Sequence, residues 1–385
     1  MSNIEAPTRD DLKALAFVDL AAQRRRLGAR IDSAMAAVLE HGKFIMGPEV
    51  GLLEERLAEF CGAKFAVTCA NGTDALRLAL MARGIGTGDA VFVPAFTFAA
   101  TAGAVALSGA TPVFVDIDET SFNMAPTSLA AAIASTDTQT SRPAAVIAVD
   151  LFGQPADYAA INAIATDAGL LVIADAAQSF GATSGVRPVG TLAAITTTSF
   201  FPAKPLGCYG DGGAIFTDDP ATAEVLRSLR LHGRGSAKHD IARVGTNSRL
   251  DTLQAAILLA KLEGFAGEIE ARDSAARRYT EGLADTVAVP SLDAGNSSVW
   301  AQYTILVDRR DDVAASLAAS GVPTAVYYPL PINRCPAYAE YPTAPGGTPV
   351  AERLARRVLS LPMHPDLDAA TQARIIVAVR RAAPH

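Results

Sequence analysis

Lys204 stands in the run Phe200-Phe201-Pro202-Ala203-Lys204-Pro205-Leu206-Gly207-Cys208-Tyr209-Gly210-Asp211-Gly212-Gly213. Lysine is ordinarily a solvated surface residue. Here two phenylalanines precede it and a glycine-rich segment follows, with Asp211 the only other charge in the run. Apolar surroundings withdraw stabilisation from an ammonium ion, so its pKa falls and the free amine becomes a nucleophile. Schiff-base chemistry requires such a group.

Other residues supply what that lysine would work with. Asp175 closes the apolar run Leu171-Val172-Ile173-Ala174. A buried carboxylate is costly unless paired. A pyridinium nitrogen is a suitable partner, since the cation keeps the acid ionised and the acid keeps the ring protonated. The plainer role is an N-cap for Ala176-Ala177-Gln178, and Gln178 would reach the same ligand. Asn71-Gly72-Thr73-Asp74 joins an expected strand to an expected helix, where small residues and free N–H groups suit a phosphate. An ordinary helix cap by Asn71 or Thr73 explains the same residues. Ser199 offers a hydroxyl for a phosphate oxygen, or merely for a turn. Phe96 and Phe98 flank Thr97 and suit either ring stacking or core packing. Together these are the parts of a pyridoxal phosphate site: lysine, ring acid, phosphate cradle and stacking face.

The elements that must position them follow from the apolar pattern. Strands are expected at Phe65–Cys69, Ala90–Val93, Thr111–Val115, Ala144–Val149, Leu170–Ala174, Ala194–Ser199 and Gly213–Thr217, with helical patterns between most of them. Strand–helix alternation with unbroken Val/Ile-rich strands predicts an α/β fold, a mostly parallel sheet sandwiched by helices. Ligands of such sheets bind at the carboxyl ends of the strands. Asn71–Asp74, Asp150, Asp175 and Ser199 all fall there. Helices are expected at Pro220–Leu231, Leu250–Leu262, Glu268–Asp285, Asp311–Ala319 and Pro349–Val358. The predicted divisions are an N-terminal helical segment 1–40, a large domain 41–265 and a smaller C-terminal α+β domain 266–385. Gly346-Gly347 within Pro342–Pro349 marks the expected mobile loop.

The chain has 385 residues, 50% hydrophobic and 19% charged, which suits a packed globular protein. Its formal net charge of −7 argues against a nucleic-acid partner. Arg24-Arg25-Arg26, the one compact basic cluster, reads as a solvated helix face. Cys61, Cys69, Cys208 and Cys335 form no CxxC pair, and the histidines are equally dispersed. No metal site and no disulfide framework is expected. Phe92–Val115 is uncharged but broken by Pro94, Gly103, Gly109 and Pro112, which excludes a membrane span. Met1–Glu5 carries no signal-peptide pattern, so a cytoplasmic location is expected.

The motifs, in order, resemble the DegT/DnrJ/EryC1/StrS sugar aminotransferases, which are fold type I pyridoxal phosphate enzymes. The resemblance runs from about Phe17 to the C-terminus. It covers Phe44–Glu49, Asn71–Leu76, Pro94–Phe98, Pro112–Asp118, Asp175–Ser179, the lysine segment and Asn247-Ser248-Arg249-Leu250-Asp251. It implies that Lys204 holds pyridoxal phosphate as a Schiff base and that Asp175 pairs with the ring nitrogen. Gln178 would lie near the ring hydroxyl, Gly72, Thr73 and Ser199 on the phosphate, and Phe98 on the ring. Asn247 would reach the phosphate of the neighbouring subunit, which implies a homodimer with shared sites. A histidine in place of the lysine marks dehydratases of the family, and Lys204 argues against that branch. Many members carry an aromatic where this chain has Ser248.

Ser199–Gly213 and Tyr328-Pro329-Leu330-Pro331-Ile332-Asn333 look most like enzymes that aminate C3 of UDP-2-acetamido-2-deoxy-3-oxo-glucuronic acid for cell-surface polysaccharides. Glutamate would be the amino donor, with pyridoxamine phosphate as the intermediate carrier. A uronate calls for a cation, preferably a bidentate arginine. Arg249 is the first choice, before Arg234, Arg243 and Arg334. His232, Tyr328 and Asn333 are further expected substrate contacts. Three rival readings stand beside this one. The first is an aminotransferase for a 3- or 4-oxo-6-deoxy sugar on UDP, dTDP or GDP. The second is a lyase or desulfurase on the same fold, with Cys335 as a weak nucleophile. The third is a non-catalytic cofactor-binding sensor.

Overall fold

The computed structural model describes residues 15–237 and 239–383. Met1–Glu5 therefore lies outside the described residues. The strands of the main sheet are β1 (Phe65–Cys69), β2 (Asp89–Pro94), β3 (Thr111–Val115), β4 (Arg142–Val149) and β5 (Leu171–Asp175). A short pair, β6 (Thr183–Ser184) and β7 (Arg187–Pro188), stands apart, and β8 (Ile195–Ser199) and β9 (Gly213–Thr217) complete the sheet. The seven strands are ordered β1-β9-β8-β5-β4-β2-β3. β9 is antiparallel to both neighbours, and the other pairings are parallel. β1, β8 and β5 therefore end at the same edge.

Alternation explains why both faces are covered. Val91, Val93, Ile147, Ile173 and Ile215 pack with Leu76, Leu80, Val105 and Leu226 on one face. Those side chains come from α3 (Gly72–Ala82), α4 (Ala99–Leu107) and α7 (Pro220–Leu229). Ala90, Phe92, Val146, Ala148 and Val172 point the other way, onto Leu129 and Ile161 of α5 (Pro126–Ser135) and α6 (Tyr158–Asp167). Side chains one apart on a strand face opposite ways, so a strand buried on both sides must be apolar throughout. The β1–β9 end is closed by α2 (Pro48–Cys61) and α8 (Thr252–Leu262), through Leu53, Leu57, Phe216 and Leu258.

α1 (Leu20–His41) lays Leu27 and Ile31 against Ile257 and Ala260 of α8. Its basic cluster is largely solvated, as expected, with Arg25 and Arg26 exposed. Arg26 pairs with Glu268 at 2.6 Å and with Asp366 at 3.0 Å, because buried Glu268 needs a cation. α9 (Phe265–Leu283) begins in the core of the large part through Phe265. It then contributes Ala275, Tyr279 and Leu283 to a second core. That core is completed by β10 (Tyr303–Leu306), α10 (Arg310–Ala319), β11 (Val358–Leu361) and α12 (Ala369–Ala382).

The helix expected over Pro349–Val358 ends at Ala355, as α11 (Pro349–Ala355). Val358 instead starts β11, antiparallel to β10, where Ser360 and Thr304 bond through their hydroxyls at 2.8 Å. Asp116 accepts the N–H groups of Val350 and Ala351, a carboxylate at the positive end of α11. The expected mobile loop is anchored too. Phe114 N–H donates to Pro342, and Ala344 N–H donates to Phe114, so the segment extends the sheet edge at β3. No helix among the described residues is long and apolar enough to cross a membrane.

Candidate active site

The common edge of β1, β8 and β5 gathers most of the predicted residues. Gly213 is in register with both Cys69 and Ser199, which sets the end of β1 level with the end of β8. Asn71 follows β1 and caps α3, its Oδ1 accepting Asp74 N–H at 2.8 Å. The plain capping role is therefore real. It does not exhaust the site, because a Cβ on Gly72 would lie 2.6 Å from Ser199 Cβ. Likewise, a Cβ on Gly213 would lie 2.6 Å from the Asn71 carbonyl. Only glycine lets the N-terminus of α3 and the end of β8 approach this closely. The first N–H groups of α3 and the Ser199 hydroxyl then share one small cradle, as an anion requires.

Asp175 ends β5 and is 7% exposed. Its Oδ2 accepts the Thr101 hydroxyl at 3.1 Å, and its Oδ1 accepts Ala177 N–H at 3.2 Å. Thr97 Oγ1 lies 3.0 Å from Thr101 Oγ1, completing a short polar chain from α4. Burial pushes the carboxyl of Asp175 upward, while the Lys204 ammonium pulls it back down. Lys204 lies in the β8–β9 connection, half-buried, with its own N–H bonded to Phe201 C=O at 2.8 Å. Burial lowers its pKa and Asp175 opposes that shift. Lysine and acid thus act on each other electrostatically, each with its charged form penalised by burial and supported by the other. That is the environment a nucleophilic lysine needs.

Gln178 is buried, its Oε1 fixed by Phe152 N–H at 2.7 Å. Its Nε2 lies 3.4 Å from Tyr328 Oη. Tyr328 comes from the C-terminal part, packs at 5.9 Å on Phe96 and 6.3 Å on Phe98, and has its hydroxyl pKa raised by burial. Phe98 precedes α4 and is 59% exposed, able to cover a ligand, whereas Phe96 is core. The donor set fits pyridoxal phosphate: a lysine, a buried carboxylate for a ring nitrogen, a cradle for a phosphate and an open aromatic face.

The remaining expected contacts divide. Asn247 is exposed, beside buried Ser248, whose Oγ accepts Ala70 N–H at 3.2 Å next to the cradle. Ser248 is thus a scaffold residue. Arg249 is half-buried, His232 and Arg234 are exposed, and Arg334 is engaged by Glu352 at 2.6 Å. Asn333 is buried and donates to Thr348 Oγ1 at 2.9 Å. It braces the loop before α11. Sequence reading missed Thr97, Thr101 and Phe152. A threonine one helical turn beyond another was the only visible signal for the first two.

The profile of the DegT/DnrJ/EryC1/StrS aminotransferase family matches residues 25–380. The UDP-2-acetamido-2-deoxy-3-oxo-D-glucuronate aminotransferase of Pseudomonas aeruginosa is 52% identical over 356 residues, 92% of this chain and 96% of that protein. A crystal structure of a DegT DnrJ EryC1 StrS aminotransferase from Brucella abortus superposes with a TM-score of 0.95 at 52% identity, covering 96% of this chain and 100% of that one. The structure of NtdA from Bacillus subtilis, with bound cofactor PMP, superposes with a TM-score of 0.84 at 30% identity, covering 94% of this chain and 82% of that one.

Proposed function

The chain belongs to the DegT/DnrJ/EryC1/StrS aminotransferase family, and from that premise we propose that it uses pyridoxal phosphate to move the amino group of glutamate onto C3 of UDP-2-acetamido-2-deoxy-3-oxo-glucuronate. The observation that carries the reading is the electrostatic influence of Lys204 and buried Asp175 on each other, at the sheet edge that also holds the Gly72–Ser199 cradle.

Pyridoxal phosphate, when bound, supplies the electron sink that lets a proton leave an amino-acid carbon. The chain supplies the rest. Gly72, Thr73 and Ser199 hold the phosphate with N–H and hydroxyl donors. Asp175, kept in place by Thr101, would pair with the ring nitrogen and keep it protonated. Gln178 and Tyr328 would lie near the ring hydroxyl, and Phe98 would cover the ring. Lys204 Nζ would hold the cofactor and, once free, would take the proton from the donor carbon as general base and hand it as general acid to the cofactor carbon that receives the amino group. The same amine works in reverse on the oxo sugar.

The uronate preference rests on likeness to the Pseudomonas aeruginosa enzyme and on Arg249. This arginine is half-buried two residues from Asn247, with no carboxylate in ion-pair reach among the described residues, whereas Arg334 is already paired. A free guanidinium suits a sugar carboxylate. Asn247 and a set of exposed apolar side chains, Phe44, Ile45, Met46 and Leu52, favour a homodimer that completes each site across the interface. A cytoplasmic place in cell-surface polysaccharide synthesis accords with a nucleotide-sugar substrate.

Turnover of defined oxo sugars tests the reading. The 3-oxo uronate should be aminated with glutamate at a kcat/KM at least about 10-fold above that of the 3-oxo-N-acetylglucosamine analogue, a gap of about 1.4 kcal/mol. Equal turnover removes the uronate assignment. Failure of glutamate to yield pyridoxamine phosphate removes the aminotransferase assignment.

A further inference from the structure

Behind the Lys204 loop lies a second lysine that the proposed chemistry does not use. Lys261, on α8, is 2% exposed. Its Nζ donates to Gly207 C=O at 2.6 Å and lies 4.4 Å from the centre of the Tyr209 ring. Burying a lysine costs free energy unless its donors and charge are engaged, and burial lowers its pKa to about 8 against the opposing pull of Glu268 and Cys208. Here a carbonyl dipole and an aromatic face engage it.

What it grips is the return limb of the catalytic loop. A Cβ at Gly207 would strike the Pro202 carbonyl, so the chain folds back on itself between Pro202 and Gly207. Lys204 sits within that fold-back. The fold-back has a second tie to the same helix: Gln254 Oε1 accepts Tyr209 N–H at 2.8 Å. Gln254 and Lys261 are two turns apart on α8 and therefore share a face. The two limbs are also tied to each other, Phe200 N–H donating to Gly212 C=O at 2.7 Å and Cys208 N–H to Phe200 C=O at 2.8 Å, which leaves the Gly207 carbonyl to α8. Without Lys261, the Gly207 carbonyl loses the one side-chain donor recorded for it among the described residues.

We propose that Lys261 is a positioning residue: by holding the Gly207 carbonyl it fixes the fold-back that aims Lys204 Nζ at the cofactor. The proposal rests on Lys204 being the cofactor-holding amine. Small misplacements of a reacting group cost large factors in rate.

The test compares full-length wild type, Lys261→Met and Lys261→Arg, each stripped of cofactor. In the methionine variant, amide hydrogen exchange across residues 200–212 should quicken at least about 10-fold while the melting temperature stays within about 5 °C. Covalent capture of added pyridoxal phosphate should slow at least about 10-fold, and kcat should fall with KM for glutamate changed less than about 3-fold. Arginine, which keeps a donor and a charge, should regain most of the capture rate. Should the methionine variant fail to fold, Lys261→Gln takes its place in the same comparison. Unchanged exchange and capture without the ammonium, or equal loss in the arginine variant, overturns the proposal. Lys204→Ala separates the two readings. If it still captures the cofactor, the assignment of Lys204 fails, while exchange in residues 200–212 still reports on Lys261.

Discussion

Lys204 and Asp175 hold each other in opposite senses, and both are governed first by burial. Capture of pyridoxal phosphate needs the neutral amine, so its rate should climb with pH and level off below 10.5, the value of an ordinary lysine. Asp175 raises the pKa of Lys204, so Asp175→Asn should move that levelling to a still lower pH. Stopped-flow absorbance across a pH series reads both. A plateau at or above 10.5 in the wild type would contradict the burial argument. The same variant should lose transamination by at least about 100-fold, because a neutral amide does not keep a ring nitrogen protonated. The lysine and the acid were legible in the sequence because a charge inside an apolar run is anomalous. Thr101 was not, since a threonine in a helix carries no such anomaly and its partner is 74 residues away.

Strand ends and helix starts do the positioning. Short apolar runs alternating with helical patterns made β1 to β5, β8 and β9 readable, and the Asn71 cap located α3. What the residues did not reveal was the close approach of α3 to Ser199, which depends on the register of both strands against β9. Gly72→Ala would place a Cβ 2.6 Å from Ser199 Cβ and force those elements apart. The expected result is a loss of roughly 1–3 kcal/mol in stability, with weaker cofactor binding. Melting curves and cofactor titration check it, and a variant unchanged in both would show that the cradle tolerates the methyl group. β11 and α12 escaped the sequence reading. Four residues of β11 are too few to show alternation, and they follow Arg356-Arg357, which still reads as a helix end.

At the scale of the whole molecule, two cores are joined by α9, and the site lies where Tyr328 from the C-terminal part meets Gln178 from the sheet edge. Asn247 is exposed, and the proposed homodimer would have it complete the site of a second copy. If each site is shared, Lys204→Ala and Asn247→Ala proteins should each be inactive or nearly so. Unfolding and refolding them together should restore activity to roughly a quarter of wild type, because half the dimers are mixed and each carries one intact site. No recovery in verified mixed dimers would place Asn247 outside the site. The sheet and the order of its elements along the chain could be read from residues alone, and so could most of the residues that the sheet edge gathers. The sugar could not, because the candidate arginines lie outside the strands and α-helices and their sequence does not show that Arg334 is paired with Glu352 while Arg249 is half-buried without such a pair among the described residues.

The central claim is that Lys204, among all lysines of the chain, is the amine that carries the reaction. The most direct measurement is to add pyridoxal phosphate, fix the adduct with borohydride and map the labelled peptide by mass. The label should fall on Lys204, and incubation with glutamate before reduction should abolish it as the amine is released. A label on another lysine, or one on Lys204 that glutamate leaves untouched, would contradict the account.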